Sequence, residues 1–122
     1  ADQDSSISDL TRRLNEETKH KNLILKLGER GIFASGKNFV SGFALPSFTN
    51  KVVDTLGTGD ALLAYSTLSL IATKSIFISS IIGSIAAACE CEKDGNIEVE
   101  PNDIIKKIDE IEETSVYRSS LK

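Results

Sequence analysis

From Ala61 to Cys89 the sequence is almost continuously apolar, and no other stretch limits the fold so strongly. Its length approaches that of a membrane span. Ser66, Thr67, Ser69, Thr73, Lys74, Ser75, Ser79, Ser80 and Ser84 interrupt it, however, and Lys74 falls near its middle, where a bilayer would make a charge costly. Two helices meeting at Thr73-Lys74-Ser75 accommodate the same residues without that cost, so no membrane partner is expected. In the first of them Leu62, Leu63, Ala64, Tyr65, Leu68, Leu70 and Ile71 put apolar side chains on nearly every face, which predicts a helix packed on several sides. The second, about Ser75 to Glu90, carries Ile76, Phe77, Ile78, Ile81, Ile82 and Ile85. Its Gly83 and Ala86-Ala87-Ala88 permit close helix approach.

With 122 residues and 13.2 kDa there is material for one core, so a single domain over residues 1–122 is expected. The 40% hydrophobic and 26% charged content is that of a folded chain. Eighteen Asp+Glu against 14 Lys+Arg give a net charge of -4, leaving no cationic surplus for a nucleic-acid backbone. Cys89 and Cys91, the only two cysteines, are poorly spaced for a disulfide and make half a zinc site at most, with His20 far off in sequence. A reduced, cytoplasmic protein without a metal site of its own is the simplest reading. The chain has no Met and opens at Ala1 in polar sequence with no secretory signal, which reads as the interior of something longer.

Ahead of the apolar stretch, Ile7, Leu10 and Leu14 recur at helical spacing, predicting an amphipathic surface helix from Ser8 to about Lys19. The run Asn22 to Leu27, closed by Gly28, has the pattern of a buried strand ending in a tight turn. Gly31 to Ser35 and Asn38 to Val40 suggest a hairpin through Gly36-Lys37. Lys51-Val-Val53 then leads into Asp54-Thr-Leu-Gly-Thr-Gly-Asp60. Beyond the apolar helices, Lys93 to Asn96 reads as a turn. Pro101 opens a last helix with the stripe Ile104, Ile105, Ile108 and Ile111, after which residues 113–122 read as a frayed tail. Strands first, then helices, joined by one strand-loop-helix crossing, indicate an α/β layer sandwich.

The segment from Asp54 to Asp60 carries the chemistry. Its glycines and small hydroxyl residues stand between a strand and a buried helix, so the amides of Gly57, Thr58 and Gly59 can point outward at the helix start as an anion site. Glycines at 57 and 59 let a ligand approach the backbone, and Asp60 sits in the first turn beside the same cavity. A carboxylate next to an oxyanion cradle is what phosphoryl transfer to an alcohol needs. The plainer alternative is a helix-start Asp60 complementing the dipole after a tight glycine turn.

Three motifs tip the balance. Val52-Val-Asp-Thr-Leu-Gly-Thr-Gly-Asp-Ala61 resembles the C-terminal signature of ribokinase-like (PfkB-type) carbohydrate kinases. Leu25-Lys-Leu-Gly-Glu-Arg-Gly31 is similar to the strand-turn that precedes it in that family. Ala86-Ala-Ala-Cys-Glu-Cys-Glu-Lys-Asp-Gly95 resembles the helix and glycine turn flanking the adenine pocket. The stretch Phe43 to Val53 further resembles the subgroup of ADP-heptose synthase and heptose-phosphate kinases. The resemblance implies the C-terminal part of a ribokinase-like three-layer α/β/α sandwich. It also implies an ATP- and Mg2+-dependent kinase acting on a hydroxyl of a sugar or sugar phosphate.

Carried over residue by residue, the resemblance makes Asp60 the catalytic base and Gly57, Thr58 and Gly59 the anion hole. Gly28 becomes the turn against the nucleotide phosphates, and Ser84 a residue near the adenine or ribose. Asp54 matches a position that supports a monovalent cation in some members, or is a simple turn residue. Thr58 replaces the usual Ala, and Leu56 a smaller residue. Lys26 stands where a Thr often contacts phosphate; its ammonium could serve the same oxygens, or it ends an edge strand, which is the preferred reading. Family members are considerably longer, and their N-terminal part holds the sugar pocket, its lid and the acidic motif that positions magnesium. This chain therefore reads as the nucleotide-binding portion. The alternative is a nucleotide-binding or assembly module without turnover, and an uncovered sheet edge would favour self-association into a homo-oligomer.

Overall fold

The computed structural model describes residues 7, 9, 10, 12–14, 16, 21–37, 39–49, 52, 55–93 and 98–120. A first helix, α1, contributes the described helical positions 7, 9, 10, 12–14 and 16, on which Arg12 forms exposed ion pairs with Asp9 and Glu16. His20, Asp54 and most of the expected turn at Lys93 to Asn96 lie outside the described residues.

Three strands, β1 (Leu23–Lys26), β2 (Ile32–Gly36) and β3 (Phe39–Leu45), form an antiparallel sheet in the order β1-β2-β3. The expected hairpin is present, but its second strand runs on to Leu45, with Ile32 opposite Leu45 and a register shift between Ala34 and Gly36. Ile32 and Ala34 point into the core, as the period-two alternation of a strand requires. In contrast to the buried strand expected near Asn22–Leu27, β1 is only half-buried. It is an edge strand, paired along one side with β2. A short turn at Gly28–Arg30 joins β1 to β2 and ends at Gly31, whose φ of 93° lies in the left-handed region. A side chain at Gly31 would overlap the Leu45 carbonyl oxygen and the Pro46 main chain, so the end of β3 rests directly on this glycine.

The apolar stretch folds as two helices, α2 (Thr58–Thr73) and α3 (Ile76–Cys91). Lys74 turns the chain in a left-handed conformation and donates its amide to Leu70 O at 2.8 Å. Ser75 caps α3 by accepting the Ile78 amide at 3.2 Å. The helices approach closely at Gly83, where a Cβ would come within 2.9 Å of Leu62 Cδ1 and Ser66 Cβ. The Ser79 hydroxyl donates across this seam to Ser66 O at 2.6 Å. One core cluster gathers Ile85, Ala86 and Cys89 of α3 with Val99 and Ile104; a second joins Ile32 and Ala34 of the sheet to Leu62 and Ile76.

Two expectations about the helices need correction. α2 is not packed on several sides: only Leu62 and Ser66 are buried, and Leu63, Leu68 and Ile71 are 67%, 64% and 71% exposed. Its apolar circumference exceeds what the sheet and α3 can cover. In α4 (Pro101–Ser120) the buried face runs through Ile104, Lys107, Ile108 and Ile111, while Ile105 is exposed. The spacing of three and four residues selects that face, and Ile105 lies about 100° away from Ile104. The helix extends to Ser120.

Ion pairs and caps fix α4 against α3. Asp103 Oδ2 accepts the Glu100 amide at 2.8 Å and the Lys93 ammonium at 2.9 Å, closing the first turn of α4. The hydrogen bond from Lys93 holds the Asp103 carboxyl below the ordinary carboxylate value, aided by the Glu100 amide. Tyr65 OH donates to Val99 O at 2.6 Å, tying α2 to the segment before α4. Cys89 and Cys91 are both free thiols and both buried. No helix among the described residues is long and apolar enough to cross a membrane.

Candidate functional site

The start of α2 is capped without a capping side chain. Gly57 occupies the N-cap with φ 83° and ψ -4°, a left-handed conformation that suits glycine, and its carbonyl accepts the first helical bond from the Ala61 amide at 3.0 Å. Thr58 turns back on the preceding residues: its amide and its hydroxyl both donate to Thr55 O, at 3.3 and 2.9 Å. Among the described residues no acceptor takes the amides of Gly59 and Asp60. The two open donors therefore sit at the positive end of the helix dipole, with the exposed carboxylate of Asp60 in the same turn.

β1 flanks this helix start. Period-two alternation puts Ile24 and Lys26 on one face of the strand, and both line an open groove of about 310 Å3 with Asn22, Gly59, Leu63 and Thr67. At the groove's end the Lys26 ammonium reaches the helix start, 2.7 Å from where a Cβ on Gly59 would stand. The absent side chain at position 59 thus makes room for a cation as well as for a ligand.

The arrangement offers an anion two main-chain donors and an ammonium, with a carboxylate in the same turn. The profile of the pfkB family carbohydrate kinases matches residues 1–103, which include every one of these groups. The chain belongs to the pfkB family. Among solved structures this pfkB chain is similar to a ribokinase from Thermotoga maritima, with 25% identity and a TM-score of 0.73 over 84% of this chain and 34% of that one. It is also similar to a microbiome-derived acarbose kinase, with 16% identity and a TM-score of 0.70 over 81% of this chain and 35% of that one. No curated protein sequence matches. The pfkB chain spans about a third of the length of these two kinases and has a ribokinase-like α/β fold.

The other expected residues of the pfkB signature fall at different distances from the helix start. Gly28, exposed and with φ 61°, follows Lys26 by two positions at the end of β1. Ser84 lies inside α3, 8% exposed, with a hydroxyl that has no hydrogen-bond partner among the described residues; it does not line the groove. Lys26 ends the edge strand β1, as its sequence position suggested, and its side chain turns to Gly59. Glu90 went unread. It is 3% exposed with Oε1 unpartnered among the described residues, a carboxylate in an otherwise alanine- and cysteine-rich helix end. Those residues bring no three His, Cys, Asp or Glu side chains together as a metal cluster.

Proposed function

We propose that this chain supplies the nucleotide side of an ATP-dependent carbohydrate kinase, transferring the γ-phosphoryl group to a hydroxyl of a sugar or sugar phosphate. The observation that carries the reading is the pair of open amides at Gly59 and Asp60 beside the exposed Asp60 carboxylate, within the matched pfkB region. Asp60 accepts the proton of the attacking hydroxyl, while the amides offset charge on the transferred group. Gly57 sets the backbone turn, Thr58 braces it through Thr55 O, and Gly28 approaches the phosphates from the end of β1. Room at Gly59 and donors without acceptors fit the phosphates of ATP. Mg2+ bound with ATP would neutralise phosphate charge. Ser84 would lie on the adenine side, and Asp54 would support a cation.

The reading takes the sugar-holding surface to lie outside these residues, in a cytoplasmic enzyme, with heptose phosphates among the candidate acceptors. For the chain by itself, the exposed Leu63, Leu68 and Ile71 favour a second reading, a nucleotide-binding module without turnover. The test is sugar-dependent ADP release in the full-length protein, measured with a panel of hexoses, heptose phosphates and nucleosides. Asp60→Asn should lower kcat by about 10² to 10⁴ with ATP affinity nearly unchanged. A variant that keeps a third or more of the wild-type rate removes Asp60 from the role of base. Turnover by the chain alone, lost in Asp60→Asn, would refute the module reading.

A further inference from the structure

We propose that Tyr65 is a positioning residue for Asp60, its hydroxyl stopping α2 from rolling about its own axis and so fixing where the carboxylate stands. The proposal rests on the phosphoryl-transfer reading, in which Asp60 takes the proton of the acceptor hydroxyl. Its origin is the way α2 is held. The buried residues of the helix, Leu62 and Ser66, form one narrow line against Gly83 and Ser79 of α3. At about 100° per residue, Asp60 stands roughly 140° round the helix from that line, on the exposed side. A cylinder pinned along one line can roll, and a group far from the line moves most.

The two flanks of the line differ. About 80° to one side lies Leu63, 67% exposed over the open groove between α2 and β1, where no close packing among the described residues resists a roll. About the same angle to the other side lies Tyr65, which packs against the Ile85, Ala86 and Cys89 cluster and donates its hydroxyl to Val99 O at 2.6 Å. Val99 is itself a fixed point. Lys93 donates to Glu98 O at 3.2 Å and to Asp103 Oδ2 at 2.9 Å, and Asp103 Oδ2 also accepts the Glu100 amide at 2.8 Å. Apolar contact is non-directional and permits sliding, whereas a short hydrogen bond sets a distance and an angle. With the Asp60 carboxylate about 6 Å from the helix axis, a roll of about 10° displaces it by about 1 Å, enough to spoil the alignment of a base with an attacking hydroxyl. The main chain of Gly59 and Asp60 lies nearer the axis and moves less, so phosphate binding is expected to survive the same roll.

The test compares wild type, Tyr65→Phe, Asp60→Asn and the double variant in the full-length protein, assayed for sugar-dependent ADP release. Phenylalanine keeps the ring and its packing, so only the hydroxyl is lost. In Tyr65→Phe, kcat should fall about tenfold with the KM for ATP unchanged. The loss should shrink to less than about twofold in the Asp60→Asn background, because Tyr65 acts through Asp60. In the chain itself, the amide NMR resonances of Gly59 and Asp60 should move in Tyr65→Phe while the circular dichroism stays that of the wild type. An unchanged kcat overturns the proposal, and so does an equal loss in the Asp60→Asn background, which is what general damage to the fold would give. Absence of sugar-dependent turnover in the wild type overturns the phosphoryl-transfer reading. Unmoved Gly59 and Asp60 resonances overturn the role of Tyr65 whatever the turnover.

Discussion

Lys107 donates to both carboxylate oxygens of Glu92, at 3.0 and 2.7 Å, although its side chain is only 3% exposed. The pair bridges the C-cap of α3 to the middle of α4. Glu110 is a more distant second partner at 3.7 Å, and it is itself 60% exposed.

Removing one charge of this pair should therefore cost unequally. Glu92→Gln leaves a buried ammonium whose remaining ion-pair partner among the described residues is the distant Glu110, a situation that typically costs about 3–5 kcal/mol. Lys107→Met replaces the ammonium by an apolar group of similar reach and leaves Glu92 with 24% of its side chain in contact with solvent. Urea unfolding should rank Glu92→Gln well below Lys107→Met. The opposite order would mean that the ammonium is hydrated in solution.

Cys89 gives a pH dependence with a definite sign. Burial, reinforced by Glu92 and Asp103, pushes its thiol up to about 11 from an ordinary value near 9. A raised folded-state value favours the protonated thiol in the native chain, so the stabilisation is complete below about pH 9. It is lost as pH rises toward 11, by at most about 2–3 kcal/mol. Unfolding free energies measured from pH 8 to 11 should fall more steeply for the wild type than for Cys89→Ala. Parallel slopes would show that the thiol does not contribute.

The uncovered face of α2 predicts association. Leu63, Leu68 and Ile71 expose large aliphatic side chains on a helix that contributes only Leu62 and Ser66 to the buried set. Sedimentation of the isolated chain should show concentration-dependent oligomers. Leu68→Glu combined with Ile71→Lys should shift the distribution toward monomer while changing stability by less than about 1 kcal/mol. Oligomers that persist in this variant would point to the free edge of β1 instead.

Features written in local sequence were legible before the structure. Pro101 starts α4, the break at Lys74 separates α2 from α3, and the glycines at 57 and 59 mark the start of α2, because each acts through its own backbone or its immediate neighbours. Burial was less legible, because it depends on what packs from outside a segment. β1 carries the composition of a buried strand and lies at an edge, and α2 carries the composition of a buried helix and stands half-covered. Lys107 was hidden for the opposite reason: its spacing with Ile104 and Ile111 is that of a core residue, and its charge disguises it. Lys26 ends an edge strand as its position suggested, and only the fold brings Gly59 beside it.

The turn at Gly31 has a reach beyond its own place in the sheet. The carbonyl of Leu45 and the main chain of Pro46 lie where a side chain at Gly31 would be, so this position sets the point from which the polypeptide leaves β3 for the helix bearing Asp60. One methyl group added there would displace the chain as it departs β3 towards the segment that carries the proposed cradle, without touching a donor, a charge or a ligand. The proposed phosphoryl-transfer site is thus answerable to a residue that contributes no chemistry. A survey of activity-impairing substitutions should find position 31 among them.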